Sequence, residues 1–264
     1  MAETGFNLEA EREIIKINGV SKFFNLPNGA AIEAISNLSL SIYDREFVSL
    51  IGPSGCGKST LLNIIAGLEK HDSGVIDISH PDERPARISV VFQTPLLLPW
   101  RTVWKNIQFA LESNKGISRS EWSDRISRVI HLTGLEGFEN AYPQQLSGGM
   151  QTRVGIARAL VTDPDILLMD EPFGALDEIT RRRMQTELLS IWSRDKKTIV
   201  FVTHSISEAV YLGDRIAILT PRPGSIYHEL RIPLPRPRSY TDPRLFDYER
   251  IVLSKLEEAM GKQK

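Results

Sequence analysis

Gly52, Pro53, Ser54, Gly55, Cys56, Gly57, Lys58, Ser59 and Thr60 stand between an apolar run and a helical pattern, the setting a phosphate-binding loop requires. Its glycines let the backbone fold back so that N–H groups point at phosphate oxygens, and the following helix adds its positive end. The spacing lets Lys58 bridge the β- and γ-phosphates of a nucleoside triphosphate and puts the Ser59 hydroxyl on Mg²⁺. Farther along, the apolar run Ile166 to Met169 ends in Asp170 and Glu171. Asp170 is expected to hold Mg²⁺, directly or through water. Glu171, one residue beyond the strand, is expected to polarise an attacking water as general base. Between the two motifs lie Leu146, Ser147, Gly148, Gly149 and Met150, a second glycine-rich turn at a helix start. Ser147 can serve as N-cap, and the free N–H groups behind it can bind another phosphate. Two nucleotide-contacting surfaces on one chain imply that two copies must meet to close a site.

These residues need a scaffold, and the apolar periodicity supplies one. Glu13 to Asn18 alternates like an edge strand, Leu38 to Ile42 like a second, and Phe47 to Ile51 reads as a buried strand ending at Gly52. Leu61, Leu62, Ile64 and Ile65 give the next helix its apolar face, and Gly67 closes it. Val75 to Ile78 and Ile88 to Phe92 are further short strands, the second running into Gln93. From Thr94 to about Thr162 the texture turns helical, as an inserted lobe would. Ile166 to Met169, Thr198 to Val202 and Arg215 to Leu219 then restore apolar β-runs between helices, the mark of a mostly parallel sheet covered on both faces. Prolines punctuate 221 to 242, expected as loop and edge strand before a last short helix. The fold class is therefore α/β: a P-loop core with a mostly parallel sheet, an N-terminal antiparallel β-subdomain and an inserted α-helical subdomain. The expected division is about 13–93 and 163–230 for the core with its β-subdomain, about 94–162 for the helical lobe and 231–264 for a C-terminal extension.

Composition narrows the possibilities. The chain has 264 residues, 41% hydrophobic and 25% charged, enough for one large α/β domain. With 32 basic against 33 acidic residues the net charge is −1, which argues against a broad surface for nucleic acid or anionic lipid. Cys56 is the single cysteine, so no intrachain disulfide forms and a reducing cytosolic setting is the simplest expectation. No apolar run approaches the roughly 20 residues that span a bilayer, and the acidic start is unlike a signal peptide. Work at a membrane would require docking on another chain.

In this order the motifs resemble those of the ATP-binding subunit of an ABC transporter, and the resemblance covers nearly the whole length. Leu146 to Gln151 is similar to the family signature, Gln93 stands where a mobile glutamine follows a strand, and His204 stands where a switch histidine does. Ala175, Leu176 and Asp177 resemble the loop that crosses to the partner subunit. The resemblance implies an ATPase in which two copies, or one copy and a paralogue, sandwich ATP. Lys58, Ser59, Gln93, Asp170, Glu171 and His204 would come from one copy, and Ser147, Gly148 and Gly149 from the other. It assigns Gln93 to Mg²⁺ or the attacking water, His204 to the γ-phosphate and to orienting Glu171, and an aromatic to the adenine. Phe24 is the candidate for that stack and Phe23 the second choice. Met150 departs from the glutamine common at its place but leaves the serine and glycines intact.

Leu96, Leu97, Leu98, Pro99 and Trp100 concentrate apolar side chains where a surface connection belongs. Such a patch can receive a coupling helix of an integral membrane permease, or can pack the helical lobe onto the sheet. The resemblance implies peripheral attachment to the cytoplasmic face of the inner membrane, with a solute-binding protein as an indirect partner and no nucleic acid. The apolar run ending at Trp100, the form of the signature and the stretch Pro221 to Gly224 are similar to importers of nitrate, sulfonate, taurine or bicarbonate. A relative acting on DNA would need a long coiled-coil arm between the phosphate loop and the signature, where no sustained heptads occur. One working on ribosomes would carry two cassettes in one chain.

Overall fold

The structure is a computed structural model that describes residues 12–261 apart from 28, 81, 115 and 196; the leaderless reading of the N-terminus concerns residues outside this set. A six-stranded sheet forms the centre, built from β3 (Phe47–Ile51), β5 (Ile88–Val91), β6 (Ile166–Asp170), β7 (Thr198–Val202), β8 (Arg215–Leu219) and β9 (Ile226–Arg231). Its order is β5-β6-β7-β3-β8-β9. All neighbours are parallel except β8 and β9.

Both faces of β3, β6, β7 and β8 are buried, which is why these strands read as apolar runs rather than as alternation. Phe47, Leu167, Met169, Ile199, Phe201, Ile216 and Ile218 point to one side. There they meet α5 (Glu178–Asp195), α6 (Ile206–Leu212) and α7 (Pro243–Gly261). Val48, Leu50, Ile166, Leu168, Val200, Val202, Ala217 and Leu219 point to the other, against α1 (Lys58–Ile65), β1 (Glu13–Asn25) and β2 (Ala31–Tyr43). At about 1.5–3 kcal/mol for each fully buried aliphatic or aromatic side chain, these two layers hold the strand ends rigidly in register.

β1 pairs with β2 on one side and with β4 (Ser73–Ile78) on the other, in an antiparallel three-stranded sheet. The N-terminal strand is thus central rather than an edge, and it runs on to Asn25. Its alternation fades after Asn18 because Gly19 adopts φ 60° and the register shifts there, which moves the following side chains out of phase. The last helix is also longer than the expected short one. α7 spans 19 residues and is docked by Leu245, Val252 and Ala259. The buried Arg238 guanidinium secures the segment before it by donating to the carbonyls of Val210, Tyr211, Gly213, Ile232 and Leu234. Burial, helped by neighbouring Arg236, pushes its pKa down to about 10.

Between β5 and β6 lie α2 (Val103–Glu112), α3 (Trp122–Leu132) and α4 (Gly148–Leu160). They share a cluster of their own in which Ile107 and Leu111 meet Ile126, Ile130, Val154 and Ala157.

Candidate nucleotide site

Four connections leave the carboxyl ends of parallel strands at one edge of the sheet, where open α/β folds place ligands. β3 leads to Gly52–Thr60, β5 to Gln93, β6 to Glu171 and β7 to His204. They converge on a cavity of about 660 Å³, a volume suited to a nucleotide.

Ser54, Gly55, Gly57, Lys58, Ser59 and Thr60 line its floor. Gly57 caps α1 with φ 97°, and a Cβ there would stand 2.8 Å from the Ala34 carbonyl oxygen, so the turn into the helix requires glycine. Lys58 is buried, and its Nζ donates to the carbonyls of Gly52 at 2.8 Å and Pro53 at 3.0 Å. Gly52, Pro53 and Cys56 shape the loop from behind and do not line the cavity. Cys56 is buried beneath it, and that burial raises its thiol pKa.

Ser59 Oγ donates to Asp170 Oδ1 at 3.0 Å. Burial raises the Asp170 carboxyl, and the neighbouring Glu171 charge adds to the rise, against the pull of Ser59 and Lys58. A hydroxyl and a crowded carboxylate in contact are hard oxygen donors whose negative charge a divalent cation would relieve. The residues present therefore suit Mg²⁺.

Glu171 sits in the left-handed region at φ 44°, a conformation that costs a non-glycine residue about 1–3 kcal/mol. Its N–H donates to the Val202 carbonyl at 2.9 Å, which ties it to the end of β7. The twist turns the carboxylate off the line of β6 and into the cavity. There Oε2 accepts from Gln93 Nε2 at 3.1 Å and lies 3.1 Å from His204 Nδ1. With its NH₂ on Glu171, Gln93 keeps the amide oxygen for a cation or a water.

Phe24 also lines the cavity, with its cross-strand neighbour Ile32 and with Ala34. Lys22 Nζ stands 5.0 Å from the Phe24 ring centroid. Phe23 is not part of the lining; its N–H donates to Asp72 instead.

Ser147, Gly148, Gly149 and Asp177 are absent from the described residues that line the cavity. Ser147 caps α4, its Oγ accepting from Met150 N at 3.3 Å. Asp177 caps α5 by accepting from Thr180 N at 3.0 Å, and hydrogen bonds from Thr180 hold its carboxyl below the usual range. The two turns adjoin each other, because a Cβ on Gly149 would meet Leu176 Cδ2 at 2.9 Å. They form a second surface on the molecule, separate from the cavity.

Three supporting features escaped the sequence reading. Buried Glu208 accepts from Thr203 Oγ1 at 2.6 Å and from Gln185 Nε2 at 3.0 Å, directly behind His204. Ser205 and Glu208 have capping-box spacing, a visible signal, but only the Ser205 half of the box forms. Asn106, fully buried in α2, clamps the segment before it through Leu98, Arg101 and Thr102. Arg222 lines the cavity. The apolar run after Gln93 divides its roles: Leu97 packs on the helical cluster, while Leu96 and Trp100 are exposed by 58% and 70%.

A glycine-looped lysine at the end of a parallel strand, facing a hydroxyl–carboxylate pair and a strand-end glutamate, defines a P-loop nucleoside triphosphatase. Residues 35–174 match the family model described as ABC transporter. The chain belongs to the ABC transporter ATP-binding family and is an ATP-binding ATPase. It is 48% identical over 250 residues to an uncharacterized ABC transporter ATP-binding protein of Methanocaldococcus jannaschii, covering 94% of this chain and 93% of that one. It is 47% identical to the taurine import ATP-binding protein TauB of Rhizobium johnstonii, over 81% of this chain and 82% of the relative. Among solved structures, a dimeric bacterial ABC transporter cassette superposes with a TM-score of 0.74 at 37% identity, covering 86% of this chain and all of that one. A post-hydrolysis dimer bound to ADP and phosphate matches at the same TM-score. Among the described residues no helix is long and apolar enough to cross a membrane.

Proposed function

We propose that this chain powers an importer of a small anion of the sulfonate, taurine, nitrate or bicarbonate class from the cytoplasmic face of the membrane. Relatives named as taurine and aliphatic sulfonate import ATP-binding proteins, at 42–47% identity, support the substrate class. In the cavity Lys58 bridges the β- and γ-phosphates, the loop N–H groups hold the phosphate oxygens, and Phe24 stacks on the adenine. Ser59, Asp170 and Gln93 would hold Mg²⁺, which supplies charge compensation on the phosphate oxygens. Glu171 accepts a proton from the water that attacks the γ-phosphorus, and the bond to the bridging oxygen breaks to leave ADP and phosphate. Gln93 and His204, both at 3.1 Å from the same Glu171 oxygen, orient that base.

One observation carries the assembly. Lys58, Ser59, Gln93, Glu171 and His204 line one cavity, with Asp170 joined to it through Ser59, while Ser147, Gly148, Gly149 and Asp177 stand on a different surface of the same copy. Two copies, or a copy and a paralogue, arranged head to tail bring each signature turn onto the other's γ-phosphate, and hydrolysis then releases the contact. The exposed Leu96 and Trp100, on a lobe with its own hydrophobic cluster, receive a permease helix and pass the opening on.

The test is dimerisation on ATP. Glu171→Gln should bind ATP, elute as a dimer and lose at least a hundredfold in turnover. Adding Ser147→Arg to that variant should return it to a monomer that still binds ATP. Normal turnover in the first, or a persisting ATP-dependent dimer in the second, would refute the reading.

A further inference from the structure

Pro221, Arg222, Pro223 and Gly224 follow β8 and have no part in the reaction above, yet their connection is built tightly against the nucleotide site. Thr220 N donates to the Ser225 carbonyl at 2.9 Å, Ser225 N donates back to Thr220 Oγ1 at 2.9 Å, and that hydroxyl donates to the Pro223 carbonyl at 3.1 Å. Gly224 bridges to β2, its N–H donating to Ala34 O and its carbonyl accepting from Ser36 N, each at 3.0 Å. It also presses on the phosphate loop: a Cβ on Gly224 would lie 2.0 Å from the Cys56 carbonyl oxygen. Prolines on both sides restrict the backbone of Arg222 further. Arg222 is thus carried into the cavity wall on a connection clamped between β2 and the phosphate loop.

Sheet order decides which part of a nucleotide it can reach. β3, which bears the phosphate loop, separates β8 from β7 and β6, which bear His204 and Glu171. Arg222 therefore stands across the phosphate loop from the hydrolytic residues, on the side of the anchoring Ala34 that Phe24 and Ile32 share. A second cationic residue lining the same cavity as Lys58 suits a polyanion, and guanidinium geometry suits phosphate oxygens in particular.

We propose that Arg222 is a nucleotide-binding residue that grips the α-phosphate and ribose, between the adenine and the terminal phosphates, and so holds ATP and ADP alike. The proposal rests on the placement of ATP in this cavity given above. A contact made equally before and after hydrolysis is uniform binding, which changes KM and leaves kcat in place.

The experiment measures ATP and ADP dissociation constants, KM and kcat for the full chain carrying Arg222→Ala, Arg222→Lys or Lys58→Ala. Arg222→Ala should weaken ATP and ADP by the same factor of about ten, the scale of one charge-assisted hydrogen bond. KM should rise in step, kcat should stay within about twofold, and Arg222→Lys should recover part of the affinity. Unchanged dissociation constants in Arg222→Ala, with binding lost in Lys58→Ala, would overturn the role of Arg222 alone. Unchanged binding in both would overturn the placement of ATP. A kcat loss at unchanged affinity would also overturn the proposal, since it would put Arg222 at the γ-phosphate.

Discussion

His204 Nδ1 lies 3.1 Å from Glu171 Oε2 although the two residues leave different strands. Because β6 and β7 are neighbours, the residue after one and the second residue after the other face each other over the sheet edge. Gln93, arriving from β5 on the far side of β6, reaches the same oxygen. The Glu171 carboxylate is thus held from two sides, and its positive φ fixes the direction from which it is held.

Removing one of those holds should cost turnover rather than binding. His204→Ala is expected to lower kcat roughly 10–100-fold, within the range of a misaligned general base, with ATP affinity within about threefold. Steady-state kinetics beside equilibrium binding separates the two; an affinity loss as large as the rate loss would show that His204 mainly binds nucleotide.

Behind His204, Thr203 Oγ1 both donates to Glu208 and accepts from Ser205 N at 3.0 Å, which fixes the backbone on either side of the histidine. Burial pushes the Glu208 carboxyl up, while Thr203, Arg181, His204 and Gln185 pull it down. Gln185 in turn accepts from Tyr240, in the segment before α7. Glu208 is accordingly a positioning residue. Glu208→Ala should lower kcat about tenfold at unchanged KM, and Glu208→Gln, which keeps an acceptor for Thr203, should restore most of it. Equal losses in both variants would place the effect in the charge rather than in the hydrogen bond.

The phosphate loop and the carboxylate pair were legible in the sequence because their chemistry demands adjacent residues with a strand before them. Gln93 and His204 were legible only through resemblance, since nothing local says that β5, β6 and β7 lie side by side. Arg222 was noticed as part of a motif but not as a cavity residue, because that depends on β8 pairing with β3. The central place of β1 was hidden for a similar reason: partners from β2 and β4 cover both its edges, and the bulge at Gly19 erases the period that would have announced its length. The Leu96–Trp100 run was read as docking surface or packing, and it divides between the two.

That run keeps its shape through Asn106. Its Nδ2 donates to the carbonyls of Leu98, Arg101 and Thr102, and its Oδ1 accepts from Leu98 N at 2.8 Å. Asn106→Leu keeps the branched outline of the side chain, though not its volume, and removes every one of these bonds. Leu98 O still accepts from Arg101 N and Thr102 O from Asn106 N, so Leu98 N and Arg101 O are the two groups that lose a partner. At about 1–3 kcal/mol each, a total near 3 kcal/mol and a Tm lower by about 5–10 °C are expected. Hydrogen exchange should accelerate over residues 96–102 while exchange in the central sheet stays slow. Slow exchange in that segment would mean that Arg158, which donates to the carbonyls of Pro95 and Leu96, suffices to hold it.

Asp165, the residue before β6, predicts how stability depends on pH. Burial alone would raise its carboxyl, but hydrogen bonds from the Arg84 and Arg87 side chains and from Arg87 N outweigh that and hold it well below the usual range. A folded-state pKa below the unfolded one means that the fold favours the ionised form. The stabilisation is fully present above the unfolded value of about 3.9 and is lost as pH falls through the folded value. Asp165→Asn should therefore lower the Tm by about 5 °C at pH 7, where a charge-assisted hydrogen-bond set worth about 2 kcal/mol is weakened. As the pH is taken below about 4, the wild type should begin to lose this advantage and the gap between the two melting curves should narrow. Thermal melts of both proteins across pH 3 to 8 provide the check. A constant gap over that range would mean that the substitution acts through packing at the β5–β6 junction and not through the charge.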